Sequence, residues 1–449
     1  AMMIDKRISL LESIITLVEF KEKFRKIGTS FTRNRKLPFA ELVFFLINSC
    51  KKSLQIEIDK FFDFIGDNME YSKQAMCKAR INILPEGFRE LNNVWVKDVY
   101  KEAKINIFNG YRILAIDGTT FELPYTEELK EEFGEVKNNN GVLKKVLGRG
   151  SILYDVENTL VIDGILDKYS SNERAMAISH LETWLEMKKE INDITKDLVI
   201  FDRGYPSLYL ISYMKNRNTD FLMRITNSFL SETNKVISKE GEIDEIIEIN
   251  ITKSKLQNSI RNKEVRSEVK LGDKIKIRVI KIMLDTGNYE YLITSLLDKE
   301  NFKTEMFKEL YFKRWGVETA YDKLKNTLEI ENFSGVKSIV IKQEFYINLL
   351  VNNMCSEFID DVQKEIDEEN QKKNNKYEYI VNRNYALGTI KGSFGDLIFA
   401  KPGKEASKII DKIKKRLKKN KTPIRDGRTF PRDKDKPINK YPMTRKSVF

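Results

Sequence analysis

Arg112-Ile-Leu-Ala-Ile-Asp117, followed directly by Gly118-Thr119-Thr120, sets the class of fold. Its unbroken apolar run closing on an acid and a turn former reads as a buried strand. A second run of the same kind, Leu198-Val-Ile-Phe-Asp202, closes before Arg203-Gly204. Between them, Ser151–Val156 and Thr159–Leu166 read as antiparallel neighbours of the first strand. Ser171–Lys188 follows as an amphipathic helix. A helix over Pro206–Lys215 and a strand over Asp220–Ile225 continue the pattern. The result is mixed α/β, with three consecutive strands before the first helix.

Working outward, residues 1–105 read as a helical domain, with apolar spacing through Ile8–Phe20, Phe39–Ile47 and Leu54–Phe64. Ser72 is an N-cap for a helix Lys73–Ile81 that carries Lys73, Lys78 and Arg80. With the preceding Gly66-Asp67-Asn68 turn, this segment is either a helix-turn-helix-like reader or a small bundle with a solvated basic face. Residues 106–225 hold the first part of this α/β region, and 226–284 break its rhythm as a β-rich insertion ending in the alternating run Lys274–Met283. Residues 285–336 resume the core with a strand Tyr289–Leu297 and a long helix Lys303–Leu328. A helical C-terminal region spans 337–420, its helices assigned to dimerisation, with an acidic-then-polar linker at Asp360–Lys376. Residues 421–449 read as a basic flexible tail.

The 449 residues carry 79 Lys plus Arg against 67 Asp plus Glu, a net of +12. Residues 401–449 hold 18 of the bases and 5 of the acids, net +13, so residues 1–400 are net −1. A nucleic-acid groove in the body is therefore a local arrangement on a near-neutral surface. Three cysteines lack disulfide or metal-ligand spacing, which fits a reducing cytoplasm. The single histidine, His180, argues against a His-based zinc site and reads as structural. No apolar run approaches a membrane span, and no signal-peptide pattern opens the chain, whose Ala1-Met2-Met3 reads as a cloning remnant.

Asp117 and Asp202 each stand where a buried strand leaves the sheet, a place where a rigid scaffold presents groups to solvent. The helix over 303–328 supplies the rest. In Tyr311-Phe-Lys-Arg-Trp-Gly-Val-Glu-Thr-Ala-Tyr-Asp-Lys-Leu-Lys325, the residues Tyr311, Arg314, Glu318 and Lys325 fall on one arc about 60° wide. Leu310, Val317, Leu324 and Leu328 form a separate apolar stripe. Three carboxylates from separated segments suit Mg²⁺, with Mn²⁺ as a substitute, in a two-metal site for phosphoryl transfer. The aligned cations suit the phosphates beside it.

The Asp117-Gly-Thr, Asp202-Arg-Gly-Tyr and Y-(2)-R-(3)-E-(6)-K motifs together resemble the DDE transposases of bacterial insertion sequences, the insertion-sequence-four family above all. The likeness runs from about residue 35 to 395, including Ser72–Arg80 and Glu173–Leu181. It implies an RNase H-like mixed-sheet core interrupted by a β-rich insertion, with helical N-terminal and C-terminal regions. The 116-residue gap between Asp202 and Glu318 leaves room for that insertion. It also implies that Asp117, Asp202 and Glu318 bind two Mg²⁺, while Tyr311, Arg314 and Lys325 contact phosphates near a cut end. The partners implied are double-stranded DNA, as transposon ends and target, and a second copy in a homodimeric synaptic complex. Some relatives stack a flipped base on a tryptophan of the insertion. Here Trp315, or an insertion aromatic such as Phe229, would have to take that part. The setting implied is the bacterial cytoplasm, in association with the nucleoid. The alternatives are a domesticated, non-catalytic DNA-binding protein and a structure-specific RNase H-like nuclease.

Overall fold

In the computed structural model, which describes residues 2–32, 37–66, 70–102, 104–137, 141, 144–259, 268–372, 377–401, 403–424 and 441, the first buried run becomes β1 (Tyr111–Leu123). Pairing carries β1 past Asp117, which therefore sits inside a long strand rather than at its end. The other strands are β2 (Glu135–Lys137), β3 (Lys144–Asp155), β4 (Leu160–Lys168), β5 (Lys196–Phe201) and β6 (Asp220–Arg224). They are followed by β7 (Ile243–Asn250), β8 (Lys274–Met283) and β9 (Tyr289–Thr294). The chain divides into two compact units. One comprises Ala1–Asp98, Thr120–Gly148 and Asp322–Phe449; the other comprises Val99–Thr119 and Arg149–Tyr321.

In the second unit the strands run β4-β3-β1-β5-β6-β9-β8-β7. β1, β5 and β6 are parallel, with Ile113 beside Leu198 and Ala115 beside Ile200. β9, β8 and β7 then join antiparallel. Parallel strands buried on both faces need continuous apolar sequence, which is what Ile113–Ile116 and Leu198–Phe201 supply. The region 226–284 adds β7 and β8 to this same sheet, together with short helices Ser231–Ile237 and Lys253–Ser259.

The helix expected over 303–328 is broken. It comprises Met306–Phe312, Trp315–Asp322 and a π-helical turn Lys323–Thr327. At the junction Arg314 N bonds to Tyr311 O and Val317 N to Arg314 O, tight i→i+3 links in place of α-helical ones. The close approach at Gly316 accompanies the break: a Cβ there would lie 2.7 Å from Val156 Cγ1. Phe307, Leu310 and Tyr311 pack with Ile113, Leu198 and Ile280 in one core, fixing the first segment against the sheet.

In the first unit Ser72 caps the helix Lys73–Arg80, its Oγ accepting from Ala75 N. Asp67 and Asn68 of the expected turn lie outside the described residues. The linker expected at Asp360–Lys376 is overturned as far as Lys372, because one helix runs Ser338–Lys372. Phe358, Ile359, Val362 and Ile366 continue its buried stripe. Its acids pair with the helix Lys404–Lys419 and the residues after it, through Lys414–Asp361, Lys418–Glu365 and Lys421–Glu369. Part of the C-terminal basic excess is thus neutralised internally. The tail beyond residue 424 lies outside the described residues apart from Tyr441. No helix among the described residues is long and apolar enough to cross a membrane.

Candidate active site

The register of β1 and β5 brings the two aspartates together. Tyr111 pairs with Lys196 and Ala115 with Ile200. Two residues further along the same offset, Asp117 stands beside Asp202. Adjacent strands are roughly 4.8 Å apart, and positions two apart share a face. Two half-buried carboxylates therefore sit side by side, one within β1 and one directly after β5.

The broken helix reaches both. Tyr311 OH donates to Asp202 Oδ1 at 3.3 Å. Arg314 Nη2 donates to Glu318 Oε1 at 2.9 Å, and Nη1 lies 3.8 Å from Asp117 Oδ2. One guanidinium thus links the first and third acids, and a phenol holds the second. The side chain of Arg314 is 5% exposed, and its Nε is buried without a partner. Burial opposes its charge, but Tyr311, Asp202 and Glu318 keep the cation favoured.

Asp117 is perturbed by its surroundings. Burial pushes its pKa up to about 6; the Gly118 amide and Arg314 pull it down, while Asp202 and Glu318 push it further up. Its backbone is held as well, since Tyr321 OH and Ser151 Oγ both donate to Asp117 O, at 2.7 and 3.3 Å. Gly118 makes room for the carboxylate of Glu173, which would lie 2.7 Å from a Cβ there and is pinned by Arg149 at 2.6 Å.

Behind Ser151 lies a buried chain that the sequence did not disclose. His180 Nε2 is 3.0 Å from Ser151 Oγ, and His180 Nδ1 is 2.8 Å from Asp163 Oδ2. All three side chains are inaccessible or nearly so. The single histidine is therefore a buried strut two bonds behind the Asp117 carbonyl, with no access to substrate. Glu290 on β9 is a fourth nearby acid: burial raises its pKa, Arg224 and Arg314 oppose that, and Asp202 adds to it.

The remaining candidates fall elsewhere. Trp315 is 47% exposed, with its ring 5.2 Å from the Arg314 guanidinium. Lys325 belongs to the other unit, where its Nζ donates to Thr120 O at 2.7 Å. The break at 313–314 and the π-turn mean that the single-helix arc does not describe its position. Phe229 lies in a turn before the helix Ser231–Ile237. In the first unit Lys73 and Lys78 are exposed. Arg80 is buried, with its donors directed to Gln343, Ser334 and Glu344 at 2.7–2.9 Å, so its side chain holds helices together.

Among the described residues no three acidic, histidine or cysteine side chains converge closely enough to form a ready metal cage. The donor chemistry nevertheless fits a hard divalent cation. The site gathers three carboxylates, raises the pKa of one of them chiefly by burial, and places one cationic side chain among them.

A family model described as the transposase DDE domain matches residues 108–354, more than half of the chain. The transposase InsG for insertion sequence element IS4, from Escherichia coli (strain K12), is 21% identical over 335 residues, covering 73% of this chain and 71% of its own length. Among solved structures, a piggyBac transposase synaptic complex with hairpin DNA covers 90% of this chain and 84% of its own at 10% identity. Its TM-score of 0.45 is too loose a likeness to argue from.

Proposed function

The chain belongs to the transposase DDE domain family, of the insertion-sequence-four type, and on that premise we propose that it cleaves DNA at the ends of an insertion sequence and joins the freed 3′-OH ends to target DNA. The observation that supports this most is the β1–β5 register, which continued by two residues sets Asp117 beside Asp202, with Tyr311 bonded to Asp202 and Arg314 bridging Asp117 and Glu318. The core is then RNase H-like, with 226–284 as its insertion.

Asp117, Asp202 and Glu318 would hold the divalent cations, Mg²⁺ or Mn²⁺. When bound, such ions activate the attacking oxygen and stabilise the leaving one in phosphoryl transfer. The chain's own residues do the positioning. Arg314 balances the acids while no phosphate is present, and its planar fork is matched to phosphate once DNA enters. Tyr311 keeps Asp202 oriented by donating to one of its oxygens. The Ser151 and Tyr321 hydroxyls fix the Asp117 backbone, so that the carboxylate needs little reorganisation. Trp315, exposed beside Arg314, offers a stacking face for an unpaired base. Lys325 contributes a phosphate contact, Lys73 and Lys78 contribute duplex contacts from the N-terminal helix, and a homodimer brings two ends together.

Strand transfer separates this reading from a nuclease or a non-catalytic binder. The purified protein is incubated with labelled terminal-repeat duplex, supercoiled target plasmid and Mg²⁺. End-to-plasmid joints are expected, and chelation should abolish them. Cleavage without joining would favour the nuclease; binding without cleavage would favour the non-catalytic protein.

A further inference from the structure

In the first unit, the π-helical turn Lys323–Thr327 packs beside the helix Ser338–Lys372 and the helix Arg383–Gly392, and the three line a half-open cavity of about 30 Å³. Its polar lining is of one kind. Lys323 and Arg383 face it with positive charge, and Asn352 and Ser356, 6% and 7% exposed, face it with amide and hydroxyl. None of these four side chains has a hydrogen-bond or ion-pair partner among the described residues. Asn352 and Ser356 lie mostly below the surface, whereas Lys323 is half-buried and Arg383 exposed, so the two cations meet the two neutral groups at a solvent-facing mouth.

Widening a helix to π geometry is unusual and often marks a functional position. Lys323, the first residue of that turn, lines the cavity. We propose that the cavity is an oxyanion site that takes one phosphate-class group, held between Lys323 and Arg383, with Asn352 and Ser356 donating from its floor. The site goes beyond the cleavage chemistry, whose acids all lie in the other unit.

Three observations support it. Burial, with Arg383 as a second cause, lowers the Lys323 pKa to about 8, and Asp360 acts against that shift. Two like charges therefore share a partly dry space, a state that an anion relieves. Cys355 also borders the cavity, but burial pushes its thiol up to about 12, so no thiolate serves as the counter-ion. The volume is the third. About one probe sphere of 10–15 Å³ holds a water, so the 30 Å³ interior admits two or so oxygen-sized groups. Oxygens of a phosphate fit, whether from free phosphate or from a DNA backbone.

Titrating the full chain with inorganic phosphate by calorimetry at pH 7 tests the first source. Saturable binding is expected, weakened at least tenfold in Arg383→Gln and in Lys323→Met. Arg383 is exposed, so its replacement leaves the fold intact, which circular dichroism would check. The second arm measures duplex affinity against salt. A slope smaller by about one in Arg383→Gln assigns the anion to a backbone phosphate. An unchanged slope with lost phosphate binding assigns it to free phosphate. The proposal is overturned if the unmutated chain binds no phosphate and Arg383→Gln leaves the slope unchanged. It also falls if both variants bind phosphate as the unmutated chain does.

Discussion

Asp244→Ala should destabilise the sheet unit more than any surface change nearby, because it strands a buried charge. Arg278 on β8 is fully buried. Its Nε donates to Asp244 Oδ1 at 2.7 Å, and its Nη2 to Oδ2 at 2.5 Å. Nη1 has only Leu296 O, at 3.3 Å. Asp244 also accepts from Thr304 Oγ1 at 2.5 Å, and its backbone carbonyl accepts from Lys299 Nζ at 2.6 Å. The pair thus ties β7 and β8 to the segment that leads into Tyr311, Arg314 and Glu318. Removing one member of a buried pair costs roughly 3–5 kcal/mol. In a domain of about 200 residues that lowers Tm by roughly 6–20 °C. Burial opposes ionisation of Asp244, but Arg278 and Thr304 hold its pKa down to about 2. Its contribution is therefore complete above about pH 4 and fades as pH falls through about 2. Calorimetry of the full chain at pH 7 reads the loss. The double variant Asp244→Ala/Arg278→Met should recover most of it, because the uncompensated charge has gone. A single-variant loss under about 1 kcal/mol, or a double variant no better than the single one, would refute this reasoning.

Asp117→Asn should raise Tm at pH 7.5 by the equivalent of roughly 2–3 kcal/mol, because a pKa of about 6 means the folded state disfavours the charge. A raised pKa gives stability that is present below the unfolded value and lost as pH rises through 6. The gain should therefore vanish near pH 4, and a gain of equal size at both pH values would contradict it. His180→Ala should cost roughly 2–4 kcal/mol in a chemical-denaturation curve, since it leaves the Asp163 carboxyl and Ser151 hydroxyl buried with one fewer partner. A variant as stable as the parent would show that the strut does not matter. Arg80→Ala should lower stability by roughly 3–5 kcal/mol with duplex affinity unchanged. Lys73→Ala and Lys78→Ala should each lower the salt slope of duplex binding by about one without changing stability, and anisotropy titrations at several salt concentrations would distinguish the two patterns.

The second-unit core could be read because its signals are local. Ile113–Ile116 and Leu198–Phe201 are short apolar runs that helices rarely use, and each carries its aspartate in the same sentence of sequence. Tyr311, Arg314 and Glu318 remain together despite the break, since Tyr311 still reaches Asp202 and Arg314 still links Glu318 with Asp117. Lys325, beyond a π-turn, shows where that extrapolation ends. Side chains joined across long separations had no local signature: Ser151, Asp163 and His180 come from three elements, and Glu290 lies in an alternating strand where any acid reads as solvent-facing. Arg80 looked like one more surface base because its partners, Ser334, Gln343 and Glu344, lie more than 250 residues away. The acids of 360–369 resembled a linker since their partners, Lys414, Lys418 and Lys421, come from a later segment.

The most direct test of the catalytic assignment is cleavage of a labelled terminal-repeat duplex by the parent and by Asp117→Ala, Asp202→Ala and Glu318→Ala, with duplex affinity measured in parallel. Each substitution should abolish Mg²⁺-dependent cutting, a loss of at least 10³-fold on the scale of removing a catalytic group, while the variants still bind DNA. A variant that cuts at the parent's rate would contradict the assignment of its residue, and three that do so would overturn the site.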